Sequence, residues 1–248
     1  MPARGGRRIN RRKDWVPLSR FSASHFYKDG TAAQLPLYDE FTFSIWLRVH
    51  STATGDGTVV QWVWQEDLPN SVYWQLFRLR WFNTAQKLSV EVYDPYDYIY
   101  IMSSNHRPFS FPKGKLVHLH GYWNKSTGFV GTQNGVLETT TAGAVTANDI
   151  QGVYSNWHAV GGGQDFTSLG YGPINQLSAD VGPTWVGFNQ NRPLTDFLLN
   201  SRPVPLPEDG NLGTGVPEFY FNGTPEHMNG RAGFSRVANF QPTQRATP

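Results

Sequence analysis

Residues Phe41 to Val49 read FTFSIWLRV, in which Phe41, Phe43, Ile45, Leu47 and Val49 alternate with Thr42, Ser44, Trp46 and Arg48. An apolar side chain at every second position is the period of a β-strand with one face on a core; a helix would scatter the same residues around its axis. Working outward, the Thr- and Gly-containing run Ser51 to Gly57 is a turn, and Thr58 to Trp64 resumes as a strand. Trp74 to Phe82 follows, with Phe77, Leu79 and Trp81 on one face and Leu76, Arg78 and Arg80 on the other. Lys87 to Tyr93 sends Leu88, Val90 and Val92 inward, and these strands are expected to form a meander.

The pattern continues to the C-terminal third. Tyr96, Tyr98 and Tyr100 alternate with Asp97, Ile99 and Ile101, and Leu116 to Trp123 leads into Gly128 to Val136. Asn134-Gly135 is a hairpin turn signal, because both residues tolerate the positive φ that a tight reversal needs. His158 to Gly163 and Gly172 to Val186 read as two more strands joined by a loop. Pro193 to Gly215 is rich in proline and glycine; its one helix-compatible piece, Thr195 to Asn200, is expected to make a single turn capped by Thr195 or Asp196. Phe219 to Phe221 is a last short strand, and there is no internal repeat.

Composition agrees with an all-β chain. Among 248 residues there are 16 Phe, 9 Trp and 11 Tyr, with 25 Gly and 17 Pro, a mixture suited to strands and tight turns. There is no cysteine, which excludes disulfides and thiolate metal sites and leaves stability to an aromatic core. No apolar run reaches the length of a membrane span, and Met1 to Asn10 lacks the apolar centre of a signal peptide; assembly in a cytosol without a membrane partner is expected.

Charge is uneven. Arg4, Arg7, Arg8, Arg11, Arg12 and Lys13 precede the first acid, Asp14, within a chain of net charge +2, so the remainder is acidic overall. Residues 1–15 hold too little apolar surface to fold alone, and read as a basic arm, disordered or extended until bound. Trp15, Val16 and Leu18 are expected to tether it to a single sandwich domain over 16–240, with a tail at 241–248.

Several segments, in this order, resemble the laminin-G-like or concanavalin-A-like jelly rolls. FTFSIWLRV resembles the early strand of that family, and GKLVHLHGYWNKSTGFVGTQNGVLE (Gly114 to Glu138) is similar to its paired strands, with Leu116 where the family usually has Trp and Asn124 where it has Asp. Gly172 to Val237 resembles the closing half of such domains in the structural proteins of tailed phages. The resemblance implies an antiparallel two-sheet jelly-roll sandwich, carried on a virion and binding another surface without catalysis.

Glu91 and Asp94 lack the spacing of a glycosidase pair and are expected to face solvent. His118 and His120 share one sheet face, which suits two metal ligands but offers no third; a plain place on the polar face is the competing account. Calcium could be held by Asp56, Asp149 or Asp165, though no ligand-dense loop marks a site, and no other cofactor is implied. The tryptophans Trp46, Trp62, Trp64, Trp74 and Trp81 are core by default. Tyr96, Tyr98 and Tyr100 form either a contact surface for a glycan or a packed sheet edge. The arm suits an acidic groove on a major capsid or other virion protein better than nucleic acid, for which its charges are few. The leading expectation is thus a homo-oligomeric, non-enzymatic head decoration or appendage protein of a phage virion, assembled in the host cytoplasm. A carbohydrate-binding adhesin on the virion and a small-virus coat protein that binds its genome through the arm are the alternatives.

Overall fold

The structure, a computed structural model, describes residues 16–21, 25–34, 39–65, 73–94, 99–102, 107–141, 154–160, 163–164, 173–174, 177–223, 228–229, 235–237 and 241–246. The first strands are β1 (Val16–Phe21), β2 (His25–Gln34), β3 (Glu40–Val49), β4 (Gly57–Gln65), β5 (Tyr73–Phe82), β6 (Lys87–Asp94) and β7 (Ile99–Met102). Then come β8 (Phe109–Ser110), β9 (Val117–Asn124), β10 (Gly128–Gln133), β11 (Val136–Thr141), β12 (Tyr154–Val160), β13 (Gly163–Gln164) and β14 (Pro173–Ile174). The chain closes with β15 (Ala179–Phe188), β16 (Leu198–Leu199), β17 (Arg202–Pro203), β18 (Phe219–Asn222), β19 (Met228–Asn229), β20 (Ser235–Val237) and β21 (Gln241–Ala246).

Two antiparallel sheets enclose the core. The first runs β11-β10-β9-β3-β15-β1-β21, with β18 and β19 extending it beside β15; the second runs β20-β2-β12-β4-β5-β6-β7, with β8 on β6. The expected meander therefore starts one strand late. Alternation in FTFSIWLRV identifies a strand with an apolar face but not its sheet, and β3 sits between β9 and β15 while β4 to β7 are consecutive neighbours opposite.

The inward residues interlock as the alternation requires. Phe41 meets Phe77 edge-on at 5.4 Å and stacks on Trp123 at 5.6 Å, joining the two sheets through aromatic rings. Gly121 on β9 makes room for this layer: a Cβ there would lie 2.3 Å from the Phe43 ring. Phe, Trp and branched aliphatic residues from both sheets form one continuous buried cluster, the main source of stability in a cysteine-free chain.

The outer face of the first sheet is also covered. Residues 189–217 arch over it, carrying a 3-10 turn (Leu194–Asp196) and the β16–β17 hairpin. Pro193, not Thr195 or Asp196, occupies the cap position, and no side chain caps the turn. Pro pre-sets the required φ, and Asp196 lies 3.5 Å from Arg192. Beneath the arch Trp185, Phe197 and Tyr220 cluster, and the Trp185 indole donates to the Gly210 carbonyl at 2.9 Å. Val16 and Leu18 pack against Trp46 and Leu198; Trp15 and the arm that these residues were expected to tether lie outside the described residues. Gln241–Ala246, expected as a tail, pairs with β1 as an edge strand. Its polar sequence gives no alternation signal, because an edge strand can be held by backbone hydrogen bonds alone.

Candidate functional site

The register of the first sheet arranges its outward side chains in rows. Arg20, Asp180 and Arg48 lie across β1, β15 and β3; Trp46 pairs with His118, Ser44 with His120, and Thr42 with Tyr122 across β3 and β9. Continuing that register by one residue puts Leu116 opposite Arg48. The arch covers the histidine rows and ends at Leu198, beside Trp46.

The histidines are buried, contrary to a plain polar face. His118 Nε2 lies 2.8 Å from Ser44 Oγ, its ring centroid is 4.9 Å from that of Trp46, and its Nδ1 has no partner. Burial, with a smaller contribution from His120, lowers its pKa to about 3, so it is neutral in the folded protein. His120 donates from Nε2 to the Arg192 carbonyl at 3.0 Å; burial lowers its pKa, opposed by that bond and by Asp196. The Ser44–His118 pair lacks the orienting group on Nδ1 that a nucleophile's base requires, and both residues lie under the arch. Among the described residues no three His, Asp or Glu side chains come together as metal ligands.

Where the arch ends, Trp46, Leu116, Asn134, Leu198 and Ser201 enclose a cavity of about 210 Å³. Local backbone chemistry fixes its rim. Asn134 and Gly135 have φ of 51° and 85°, the paired left-handed conformations of the hairpin turn read from the sequence. Asn134 Oδ1 accepts the His118 N–H at 2.8 Å and the Asn134 N–H donates to the His118 carbonyl at 2.8 Å, which holds the amide in place and leaves its NH2 as a donor. Across the mouth, Asn200 and Ser201 turn β16 into β17 with φ of 52° and 59°. Such angles are uncommon for serine, and Ser201 lines the cavity. Val136, Leu137 and Leu199, at 63%, 58% and 56% exposure, flank these two turns and are the exposed large hydrophobics among the described residues.

Next to the cavity lies a cationic row. The Asp180 carboxylate is fully buried and receives Arg48 Nε at 2.7 Å, His50 Nε2 at 2.8 Å and Arg20 Nε at 3.2 Å. Burial pushes its pKa up, but the bonds from His50 and Arg48 outweigh that and hold it below the ordinary value.

The second sheet's outer face is organised differently. Glu91, expected in solvent, is 1% exposed and accepts Arg78 Nε at 3.0 Å, Arg78 Nη2 at 2.6 Å and Ser89 Oγ at 2.7 Å. Cross-strand register puts Arg78 directly opposite it, and the buried charge is tolerated because it is paired. Arg107 and Arg80 both lie over the Phe82 ring, at 3.7 and 4.8 Å. Asp56 Oδ1 caps the Asn83 N–H at 2.8 Å, a turn role; Asp149 and Asp165 lie outside the described residues.

The other sequence candidates are placed only in part. Arg4, Arg7, Arg8, Arg11, Arg12, Lys13, Tyr96 and Tyr98 lie outside the described residues, and Tyr100 sits in β7 in register with Tyr93 of β6. Trp46 and Trp81 are buried, as expected of core residues. Sequence reading missed Arg20, Asp180 and Ser201. The first two meet 160 residues apart, so no local pattern could join them, whereas the Leu-Asn-Ser-Arg run at Leu199 to Arg202 could have been read as a turn.

No family model and no curated protein matches the chain. Solved structures do share its fold. A candidate carbohydrate-binding protein from Bacteroides ovatus matches with a TM-score of 0.51 and 10% identity over 94% of this chain and 60% of its own. A sialidase from Streptococcus pneumoniae matches with a TM-score of 0.51 and 9% identity, covering 73% of this chain and 27% of its own. A heptameric pentraxin from Limulus polyphemus gives 0.49 and 12% over 92% and 94%. The expectation of a phage virion finds no support among them. The chain is an antiparallel two-sheet jelly-roll sandwich of the concanavalin-A-like kind.

Proposed function

We propose that this chain is a carbohydrate-binding domain that holds a sugar, without cleaving it, in the cavity of Trp46, Leu116, Asn134, Leu198 and Ser201. The observation that carries the reading is the composition of that cavity: indole and leucine walls, with a fixed amide and a hydroxyl at the mouth. A sugar ring presents apolar C–H faces and a rim of hydroxyls, and it needs that combination of surfaces. At about 210 Å³ the space is below the roughly 300 Å³ at which drug-sized sites begin, which suits one ring or its substituent. Among the described residues that line it there is no carboxylate, so they do not supply the acid pair of a glycosidase. The fold shared with the Bacteroides protein is in keeping with this reading, which favours the carbohydrate-binding alternative over a virion structural role.

A glycan array probed with the full chain tests it. Binding should weaken about tenfold, the value of one lost charge-free or charge-assisted hydrogen bond of about 1.4 kcal/mol, in Asn134→Gly and Ser201→Gly, with melting curves that stay cooperative. Both substitutions suit the positive φ at those positions. A flat array, or binding indifferent to both changes, would remove the proposal.

A further inference from the structure

We propose that Asn134 is a self-modification site, converting through a cyclic imide to aspartate and isoaspartate, and that the conversion disables the cavity it lines. The second half of the proposal rests on the carbohydrate reading above; the first half does not.

A backbone nitrogen can attack the side-chain amide of the preceding asparagine, and a side chain on the attacking residue hinders the approach. Asn-Gly is therefore the labile pair, and the chain has three: Asn134-Gly135, Asn222-Gly223 and Asn229-Gly230. The β10–β11 turn favours the pair for its own reasons, because both central residues have positive φ, 51° and 85°. There the reacting groups are set out for the attack. Asn134 and Gly135 are exposed, and the Gly135 N–H has no partner among the described residues, so solvent base has access to its proton. Asn134 Oδ1, the atom on which negative charge develops when Cγ is attacked, already accepts the His118 N–H at 2.8 Å. A donor held at a developing oxyanion lowers the barrier.

Water is the one further reactant. The Gly135 nitrogen, its proton removed, bonds to Asn134 Cγ; the Cγ–Nδ2 bond breaks, and Nδ2 leaves as ammonia with a proton returned from solvent. Water then opens the imide at either carbonyl. Opening at Cγ restores the main chain as aspartate, which lacks the NH2 donor at the cavity mouth. Opening at the backbone carbon gives isoaspartate, whose main chain runs through the side chain and is one methylene longer. In a two-residue turn that extra length breaks the register by which Asn134 bonds the His118 N–H and carbonyl.

Asn222-Gly223 is the internal control. Asn222 is half-buried in β18 opposite Pro183, and Gly223 is buried, with the Pro17 carbonyl oxygen 2.3 Å from where a Cβ would stand. Both residues have further partners, so ring closure there must first displace β18.

Incubation of the full chain at neutral pH, sampled over time by peptide mapping in a mass spectrometer and by enzymatic methylation of isoaspartate, tests the proposal. In the native chain Asn134 should convert about tenfold or more faster than Asn222, a floor below the roughly hundredfold that one oxyanion donor contributes. In the chain unfolded by urea the two rates should converge. Asn134→Gln should abolish the mass gain of that peptide. An Asn134 that stays intact in the native chain, or native rates equal at Asn134 and Asn222, overturns the proposal. A tenfold difference that persists after unfolding would trace the lability to flanking sequence and overturn the role given to the turn. Glycan binding should fall in step with the converted fraction. Conversion with binding retained would overturn the second half of the proposal and remove Asn134 from the sugar site, whereas a flat array would sink the carbohydrate reading and leave the mass readout to decide the modification.

Discussion

The outer faces of the two sheets start from the same alternating pattern, but among the described residues only the first is roofed. On the first sheet the polar half of β3 and β9 is roofed by an apolar arch, and its histidines are held neutral. On the second, Glu91 is buried as an ion, neutralised by Arg78 from the neighbouring strand. Under the arch the first face stabilises its polar groups by removing charge; at Asp180 beside it, as at Glu91 on the second face, charge is paired. Alternation alone shows which residues face away from the core; it does not show what they face.

This contrast can be broken from either side. The largest effect is expected from Arg78→Met, which takes from the buried Glu91 its bidentate guanidinium partner and should lower stability by about 3 to 5 kcal/mol in urea denaturation. Adding Glu91→Leu should restore much of that loss; a loss under about 1 kcal/mol for Arg78→Met would show the pair to be effectively solvated. Phe197→Ala, which removes the ring between His120 and Trp185, should cost about 3 kcal/mol and loosen the arch, visible as altered tryptophan fluorescence. A silent substitution there would mean that the arch does not depend on its aromatic contact.

Acid should distinguish the faces next. His118 has its folded pKa depressed to about 3 from 6.5, so the unfolded chain binds a proton that the folded one refuses. Its contribution is complete above pH 6.5 and declines as pH falls toward 3, at up to about 1.4 kcal/mol per pH unit for one proton. His118→Gln should flatten that limb of the urea midpoint against pH. Asp180, also depressed, adds stability above its ordinary pKa of 3.8 that is lost as pH falls further, so its effect begins only at the acid end of the histidine limb. The smallest effect on folding belongs to Ser201→Gly, which should shift stability by less than about 1 kcal/mol, since glycine relieves the left-handed backbone but loosens the unfolded chain. The same change should still weaken glycan binding.

Much of the architecture was legible. The inward sets Phe41 to Val49, Phe77 to Trp81 and Leu88 to Val92 are fully buried, and Asn134-Gly135 turns the β10–β11 hairpin, because these signals depend on neighbours a few residues apart. The site was less legible. His118 and His120 could be placed on one face, but their burial depends on Phe197 and Arg192, contributed by an arch some 70 residues away. The cationic row is assembled from three strands distant in sequence, and only Arg48, next to Trp46 in FTFSIWLRV, lay in a segment already known to be a strand. The arm and the tyrosine run drew attention as local composition, and local composition says little about where a binding surface forms.

The pairing of β1 with β21 places Val16 opposite Ala246, so the chain enters and leaves the described fold at one end of the same edge ladder. That geometry has a mechanical meaning. A load applied across these two points would open the β1–β21 ladder one hydrogen bond at a time, as a zipper, and not shear its bonds together. Tension would release the edge strand first, while β1 stays held to β15 on its other side. Stretched between its two ends, the domain would yield gradually at that edge; held by one end alone, it would feel no such force.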